Sequence, residues 1–332
     1  MRAPAFWARR RPTLIARALQ PIGALYGWTT ARRMAEPGAR APAPTFCVGN
    51  FVAGGSGKTP AAMALAQLLF AEGRRVAFLS RGYGGAKRTA PERVDLSVHD
   101  AAQVGDEPLM LARIAPCWVG ADRAKSARLA VEAGADALVL DDGLQNPSLI
   151  KDLAIAVVDG ETRFGNGLCL PAGPLRAPVA TQARRVGAFI LVGGDEAAAR
   201  EVEALSLGKP VMRASLEPDA LAAAPLIGRE IVAFAGIARP EKFYATLRRV
   251  GAQLVATRDF PDHHLYRPHE IEALMEEAAR RGALLATTEK DRVRLTTRQA
   301  RAIMTLPVSL RFEEPRLVRR LLQRALARRA EQ

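Results

Sequence analysis

The sequence has no uninterrupted apolar stretch near the roughly 18–20 residues that a spanning helix needs, so no segment of it is expected to cross a bilayer. Cysteine is scarce. Cys47, Cys117 and Cys169 lie far apart with no C-x-x-C pair, which removes a disulfide framework or a cysteine-rich zinc site as an organiser of the fold. Each sits in or beside an apolar run, as a buried thiol does, and an odd count fits a reducing compartment such as the cytoplasm. Acids are outnumbered, with 34 Asp and Glu against 48 Lys and Arg and a net charge of +14. That excess points to a polyanionic partner: nucleic acid, anionic lipid or a phosphorylated substrate. The sequence lacks an aromatic-interleaved basic patch, zinc-ligand spacing and an RNP-like strand, so nucleic acid is not expected among its partners. Internal repeats and low-complexity tracts are absent apart from an Ala/Arg bias.

What is present is a large apolar fraction, 49% of 332 residues, enough for one large or two modest domains with real cores. The first forty residues hold eight arginines and one acid, Glu36, mixed with Phe6, Trp7, Leu14, Ile15, Leu19, Ile22, Leu25, Tyr26 and Trp28. Pro12 and Pro21 break up the apolar run and arginines flank it, unlike a cleaved signal peptide. Residues 1–36 therefore read as an amphipathic basic segment lying in a membrane surface, with arginines on anionic lipid phosphates. The alternative is a basic helix packed on the protein's own surface.

Beyond a Pro/Ala-rich linker, apolar strands alternate with helices, the pattern of a mainly parallel sheet covered on both faces. Strands are expected at 45–48, 76–79, 94–98, 118–119, 137–140, 155–158 and 189–192. A smaller α/β unit follows, with strands at 231–235, 254–257 and 283–287. The expected organisation is a core over 37–210, a smaller domain over 220–303, a two-strand hinge at 210–217 and 304–312, and a basic helix over 313–332 returning to the core. The fold class is α/β: a P-loop NTPase-like parallel-sheet domain joined by a two-strand linker to a second, smaller α/β domain.

Residues 48–60 read V-G-N-F-V-A-G-G-S-G-K-T-P, placing G-G-S-G-K-T between a strand and a helix, where a phosphate-binding loop belongs. Gly54, Gly55 and Gly57, with Ser56 among them, allow backbone N–H groups to surround phosphate oxygens. Lys58 can reach the β and γ phosphates, and the Thr59 hydroxyl can hold Mg²⁺. Val52 stands where the strict pattern has its first glycine. The run A-L-V-L-D-D ends in Asp141 and Asp142, candidates for the strand-end carboxylate that holds the metal. ATP and Mg²⁺ are the expected cofactors. A nucleotide switch or GTPase is the competing reading, but no N-K-x-D segment is present; the nearest phrase, T-T-E-K-D, offers Glu289 before Lys290.

Further motifs follow in order: S-R-G-Y-G-G at 80–85, V-G-D-E-P at 104–108, G-A-D-R at 120–123, L-D-D-G-L-Q at 140–145, G-N-G-L-C-L-P-A-G-P-L-R at 165–176, F-P-D-H-H-L-Y at 260–266 and T-T-E-K-D at 287–291. Taken together, in this order, they resemble the tetraacyldisaccharide 4′-kinase (lipid A 4′-kinase) family over nearly the whole chain. The resemblance implies ATP-dependent phosphorylation of the 4′-hydroxyl of an acylated glucosamine disaccharide 1-phosphate. It places that reaction at the cytoplasmic face of the inner membrane, with the enzyme peripheral or monotopic. It also implies that Asp106 and His263 act together at the attacking hydroxyl, that Arg123 serves a phosphate or substrate site, and that Ser80 and Tyr83 line the sugar site. By residue type alone, Asp106 reads as a helix N-cap and His263 as an ordinary loop histidine, and Arg123 is equally a solvated helix arginine. Asn146 stands where the family often has His, and Ala177 where it often has Glu. Gln145 and Asp142 are expected to take over contacts made from those positions. Asp159 and Glu161 receive no role.

Overall fold

The computed structural model describes residues 4–55, 57–86 and 90–331. Thirteen strands form two sheets: β1 (Thr45–Gly49), β2 (Val76–Ser80), β3 (Glu92–Arg93), β4 (Cys117–Val119), β5 (Ala137–Asp141), β6 (Leu153–Asp159), β7 (Ala188–Val192), β8 (Val211–Pro218), β9 (Glu230–Ala235), β10 (Gln253–Asp259), β11 (Leu284–Thr288), β12 (Met304–Leu306) and β13 (Val308–Phe312). The large sheet has the order β13-β8-β7-β6-β1-β5-β2-β4-β3, and the small one β10-β9-β11-β12. All pairings are parallel except β3 with β4 and β13 with β8. The α/β, mainly parallel architecture expected from the sequence is the one adopted.

The strands read as continuous apolar runs because both faces are covered. Every residue of β1, β2, β5, β6 and β7 is buried. Phe46, Val48, Phe78 and Val139 face one cluster, whereas Cys47, Leu79, Leu138 and Leu140 face the other. The three cysteines are free and buried. The small sheet repeats the arrangement, with Ile231 and Ala233 on one side and Val232 and Phe234 on the other. The helix Pro315–Ala330 lays Val318, Leu322, Ala325 and Leu326 into the large-sheet core.

Two local expectations change. Residues 94–98 form a turn rather than a strand. Asp95 accepts from Ser97 N and Oγ at 2.8 and 2.6 Å, an Asx turn that competes with strand pairing, so the ladder Glu92–Arg93 makes with β4 ends after one further bond, Val94 N to the Cys117 carbonyl at 2.8 Å. Residues 304–306, placed in the second hinge strand, pair with β11 in the small sheet instead. Pro307 has no N–H to continue a ladder, and it separates β12 from the β13–β8 pairing that runs from Val308↔Pro218 to Phe312↔Ala214.

The parallel pairing brings the carboxyl ends of β1, β2, β4, β5, β6 and β7 to one edge, where open α/β sheets place their ligand sites. Every motif singled out in the core lies in the loops at that edge.

Candidate active site

The phosphate loop leaves β1 at Gly49 and enters the helix Lys58–Ala71. Gly54 has φ +114° and Gly57 φ +82°, left-handed conformations in which a side chain is strained. Ser56 lies outside the described residues. Val52 makes an antiparallel bridge to Leu175, flanked by Ala53 N donating to Pro174 O and Arg176 N to Phe51 O. Its backbone is thus in an extended pairing, which explains why glycine is not required there. Lys58 Nζ lies 3.3 Å from Asp142 Oδ2 and donates to Asn50 Oδ1 and the Gly54 carbonyl at 3.3 and 3.4 Å.

Asp141 and Asp142 end β5 in different surroundings. Buried Asp141 accepts from Thr59 Oγ1 at 2.9 Å through Oδ2, while its Oδ1 is buried without a hydrogen-bond partner. Burial first, then the charges of Glu107 and Asp142, push its carboxyl up to about 7. A hydroxyl and an under-satisfied carboxylate side by side are donors suited to Mg²⁺. Among the described residues no three His, Cys, Asp or Glu groups could hold a metal alone, so phosphate oxygens and water would complete the shell. Asp142 is gripped by Arg176, with 2.8 and 2.9 Å contacts to its two oxygens. Burial opposes its charge, but Lys58 and Arg176 hold its carboxyl down at about 2.

A second cluster joins the two domains. Gly105, at φ +87°, fills the N-cap position of the helix Asp106–Ala112, so Asp106 is its first residue rather than its cap. Instead Asp106 Oδ2 sits 2.7 Å from His263 Nδ1 and accepts from Arg294 Nη2 at 2.5 Å. Burial would raise this carboxyl; the hydrogen bonds from His263 and Arg294 and the charges of Arg294 and Lys290 outweigh it, lowering it to about 2. His263 has φ +60°, and its Nε2 lies 3.4 Å from Lys290 Nζ. Lys290 also pairs with Glu107 at 3.3 Å. Arg294 was not singled out from the sequence, because one arginine among many carries no local signal; its position seven residues after the T-T-E-K-D motif begins is the available hint.

The other expected residues fall as follows. Tyr83 is 68% exposed and meets the His263 ring edge-on at 5.4 Å. Ser80 is buried at the end of β2, its Oγ accepting from Gly82 N. Arg123 is only 2% exposed, which rules out a solvated helix arginine. It donates to the Gly120 carbonyl, its Nε lacks a partner, and burial and then Arg81 lower its pKa to about 10. Asp159 and Glu161 tie the domains together: Asp159 accepts from Arg239 at 3.0 Å and Lys242 at 2.7 Å, and Glu161 pairs with both cations.

A family model described as tetraacyldisaccharide-1-P 4′-kinase matches residues 15–326. The chain belongs to the tetraacyldisaccharide 4′-kinase family. A relative of that name from Methylobacterium sp. (strain 4-46) is 55% identical over 332 residues, 99% of each chain. Another, from Gluconacetobacter diazotrophicus, is 51% identical over 97% of each. Among solved structures, the "apo" form of LpxK from Aquifex aeolicus in complex with ATP matches with a TM-score of 0.73 at 28% identity, covering 94% of this chain and 100% of that one. The nucleotide-switch reading is not favoured by these relatives.

In this member of the 4′-kinase family the two positions expected to depart from the family pattern, 146 and 177, fit their surroundings. Asn146 Oδ1 accepts from Ser148 N at 2.8 Å, and Ala177 is fully buried, where a longer acidic side chain would lose its solvation. Gln145 is engaged by the Asn50 carbonyl, Gln182 and Arg176, so it braces the root of the phosphate loop. The amino-terminal helix Leu14–Arg33 runs through Pro21, whose missing N–H removes one intrahelical bond at an exposed position. Its inward face is small. A Cβ on Gly23 would come within 2.6 Å of the Cys169 carbonyl, and one on Gly27 within 2.6 Å of Cys169 Sγ. Its outward face carries Leu14, Ile15, Ile22, Leu25, Tyr26 and Trp28, all exposed. No helix of the described residues is long and apolar enough to cross a membrane.

Proposed function

We propose that this chain transfers the γ-phosphoryl group of ATP to the 4′-hydroxyl of an acylated glucosamine disaccharide 1-phosphate at a membrane surface. The observation that carries the reading is that a phosphate loop and an Asp–His pair share one sheet edge. Glu107 links them, since it pairs with Lys290 beside His263 and its charge bears on Asp141.

The phosphate end needs little covalent chemistry from the protein. Amides of the 54–59 loop and Lys58 hold the triphosphate and take up charge that moves toward the β–γ bridging oxygen as that bond breaks. Thr59 and Asp141 would hold Mg²⁺, which supplies Lewis-acid neutralisation of the phosphate oxygens. Asp142, pinned by Arg176, keeps Lys58 aimed across the loop.

At the other end, the sugar oxygen attacks phosphorus and must release its proton. His263 donates Nδ1–H to Asp106, which fixes the tautomer; its Nε2 lone pair, facing Lys290 Nζ at 3.4 Å, takes that proton once the sugar hydroxyl replaces the ammonium there. Asp106 then balances the imidazolium charge. His263 comes from the smaller domain and Asp106 from the core, so the pair exists only when the two domains meet. Arg123 serves an anionic group of substrate or nucleotide, and Ser80 and Tyr83 border the sugar. The outward apolar face of residues 14–33, with Arg17, Arg32 and Arg33 on the same helix, seats the enzyme on anionic lipid. In this reading the enzyme works at the cytoplasmic face of the inner membrane, the side that supplies ATP.

The test is phosphate transfer from ATP to the acylated disaccharide 1-phosphate in mixed micelles, with Lys58→Ala as control. Turnover by the native chain and its loss in the control support the reading. No transfer by a folded, ATP-binding native chain refutes it.

A further inference from the structure

We propose that Arg294 is a positioning residue for phosphoryl transfer: a guanidinium from the smaller domain that fixes the Asp106 carboxylate beneath His263. The inference rests on the assignment of Asp106 and His263 given above.

Four groups close a ring. The Gly236 carbonyl accepts from His263 N at 3.1 Å and from Arg294 Nη1 at 2.8 Å. The side chains of the same two residues converge again on Asp106 Oδ2, at 2.7 and 2.5 Å. One backbone oxygen of the smaller domain therefore sets both the histidine and the arginine, and one carboxylate oxygen of the core receives both. The peg is closely packed. A Cβ on Gly236 would lie 2.9 Å from Tyr266 Oη and 3.1 Å from Asp291 Oδ1, so the position leaves little room for a side chain.

Arg294 is itself anchored. Its side chain has no solvent exposure, and Nη1 also reaches Asp291 Oδ1 at 2.8 Å. Fully buried Asp291 is held in turn by Gly236 N, Tyr266 Oη and Thr288 Oγ1. A planar fork can span two carboxylates in this way, and a lysine ammonium cannot reproduce both directions. A guanidinium serving stability alone would be satisfied by Asp291, three residues away on the same short turn. Its second arm instead crosses the domain boundary, 188 positions in sequence, to the carboxylate oxygen that orients the histidine. Without it, Asp106 would keep a single side-chain tether among the described residues, and the imidazole would lose its fixed partner.

None of these groups belongs to the phosphate loop, so the effect should fall on kcat and spare the KM for ATP. The test measures turnover of the full-length protein carrying Arg294→Ala or Arg294→Lys, with Asp106→Asn alongside. Arg294→Ala should lower kcat about 10²-fold, the usual consequence of losing one preorganised donor. Added guanidinium at low, non-denaturing concentration should restore part of that loss and methylammonium should not. Arg294→Lys should regain the melting temperature without regaining kcat. If Asp106→Asn is inactive but both arginine variants turn over like the native protein, the positioning role is wrong. Turnover lost together with the folded state, and unrescued by guanidinium, marks a purely structural arginine and overturns it as well. If Asp106→Asn itself retains full turnover, the underlying assignment of the pair fails, and the role of Arg294 fails with it.

Discussion

Asp141 and Asp106 are two buried carboxylates at one edge of the same sheet, and their surroundings drive them in opposite directions. Asp141 keeps an oxygen without a hydrogen-bond partner and has acidic neighbours, so its proton affinity rises. Asp106 is just as buried, yet His263, Arg294 and Lys290 turn the balance the other way. Desolvation disfavours both charges; what differs is whether the chain supplies the compensating cation. At Asp106 it does, through His263, Arg294 and Lys290 of the smaller domain. At the phosphate end Lys58 compensates only in part, which is the environment a magnesium–nucleotide complex would complete. One carboxylate is thus compensated by docking of the smaller domain, and the other is left partly uncompensated.

The contrast breaks most decisively at Asp141. Asp141→Asn keeps shape and volume but removes the charge offered to a metal. Turnover should drop by about 10³-fold, matching the several kcal/mol that a metal contributes to charge stabilisation in a transition state. Thermal stability should hold, since a carboxylate with an unpartnered oxygen is being replaced by a neutral amide. A variant that melts early while retaining turnover would show that Asp141 is a structural acid. Next in size is His263→Ala, expected to lower kcat by about 10²–10⁴-fold, the range of a lost general base, with nucleotide affinity retained. Equilibrium binding of a fluorescent ATP analogue separates the two variants. Loss of ATP affinity on removing His263 would erase the distinction between the ends.

The two ends also differ in how far they could be read from sequence. The phosphate loop is contiguous, and its glycines, lysine and threonine declare themselves through spacing between a strand and a helix. The large parallel sheet was legible for the same reason, as each strand is a short apolar run. Asp106, His263 and Arg294 lie 157 and 188 positions apart, and no local pattern ties them; only the family resemblance pointed to the first two. Asp159 and Glu161 had no assigned role because their partners, Arg239 and Lys242, are brought to them only by docking of the small domain. Residues 94–98 misled through composition, since valines suggested a strand where Asp95 directs a turn.

The acid limb of stability sharpens the comparison further. Asp106 has a lowered folded-state value, about 2 against an ordinary 3.8, so its contribution is present above 3.8 and is lost as the pH falls toward 2. The amount is on the order of 2 kcal/mol. Because its partners are across the boundary, that stability belongs to the contact between domains. Denaturant melts of the native protein and of Asp106→Asn should differ at pH 5 and converge as the pH approaches 2. A gap that stays constant over the whole range would place the contribution of Asp106 in packing rather than charge.

The smallest effect concerns the amino-terminal helix, which packs on the segment that follows β6. Gly23 and Gly27 press against Cys169, and the same 165–176 segment delivers Arg176 to Asp142. The outward side chains are exposed on the opposite face. Replacing Leu25 and Trp28 by serine should therefore weaken partition onto anionic vesicles about tenfold or more, given roughly 1.5–3 kcal/mol for fully burying each large apolar group and only partial depth at an interface. Turnover on micellar substrate should change little. Gly27→Val acts on the inward face and should do the reverse, keeping vesicle binding while disturbing the Arg176–Asp142–Lys58 chain and raising the KM for ATP. Sedimentation with vesicles and steady-state kinetics on the same preparations distinguish these patterns. If both variants lose vesicle binding and nucleotide affinity together, the two faces of the helix do not act separately, and the phosphate end is coupled to the membrane through the helix as a whole.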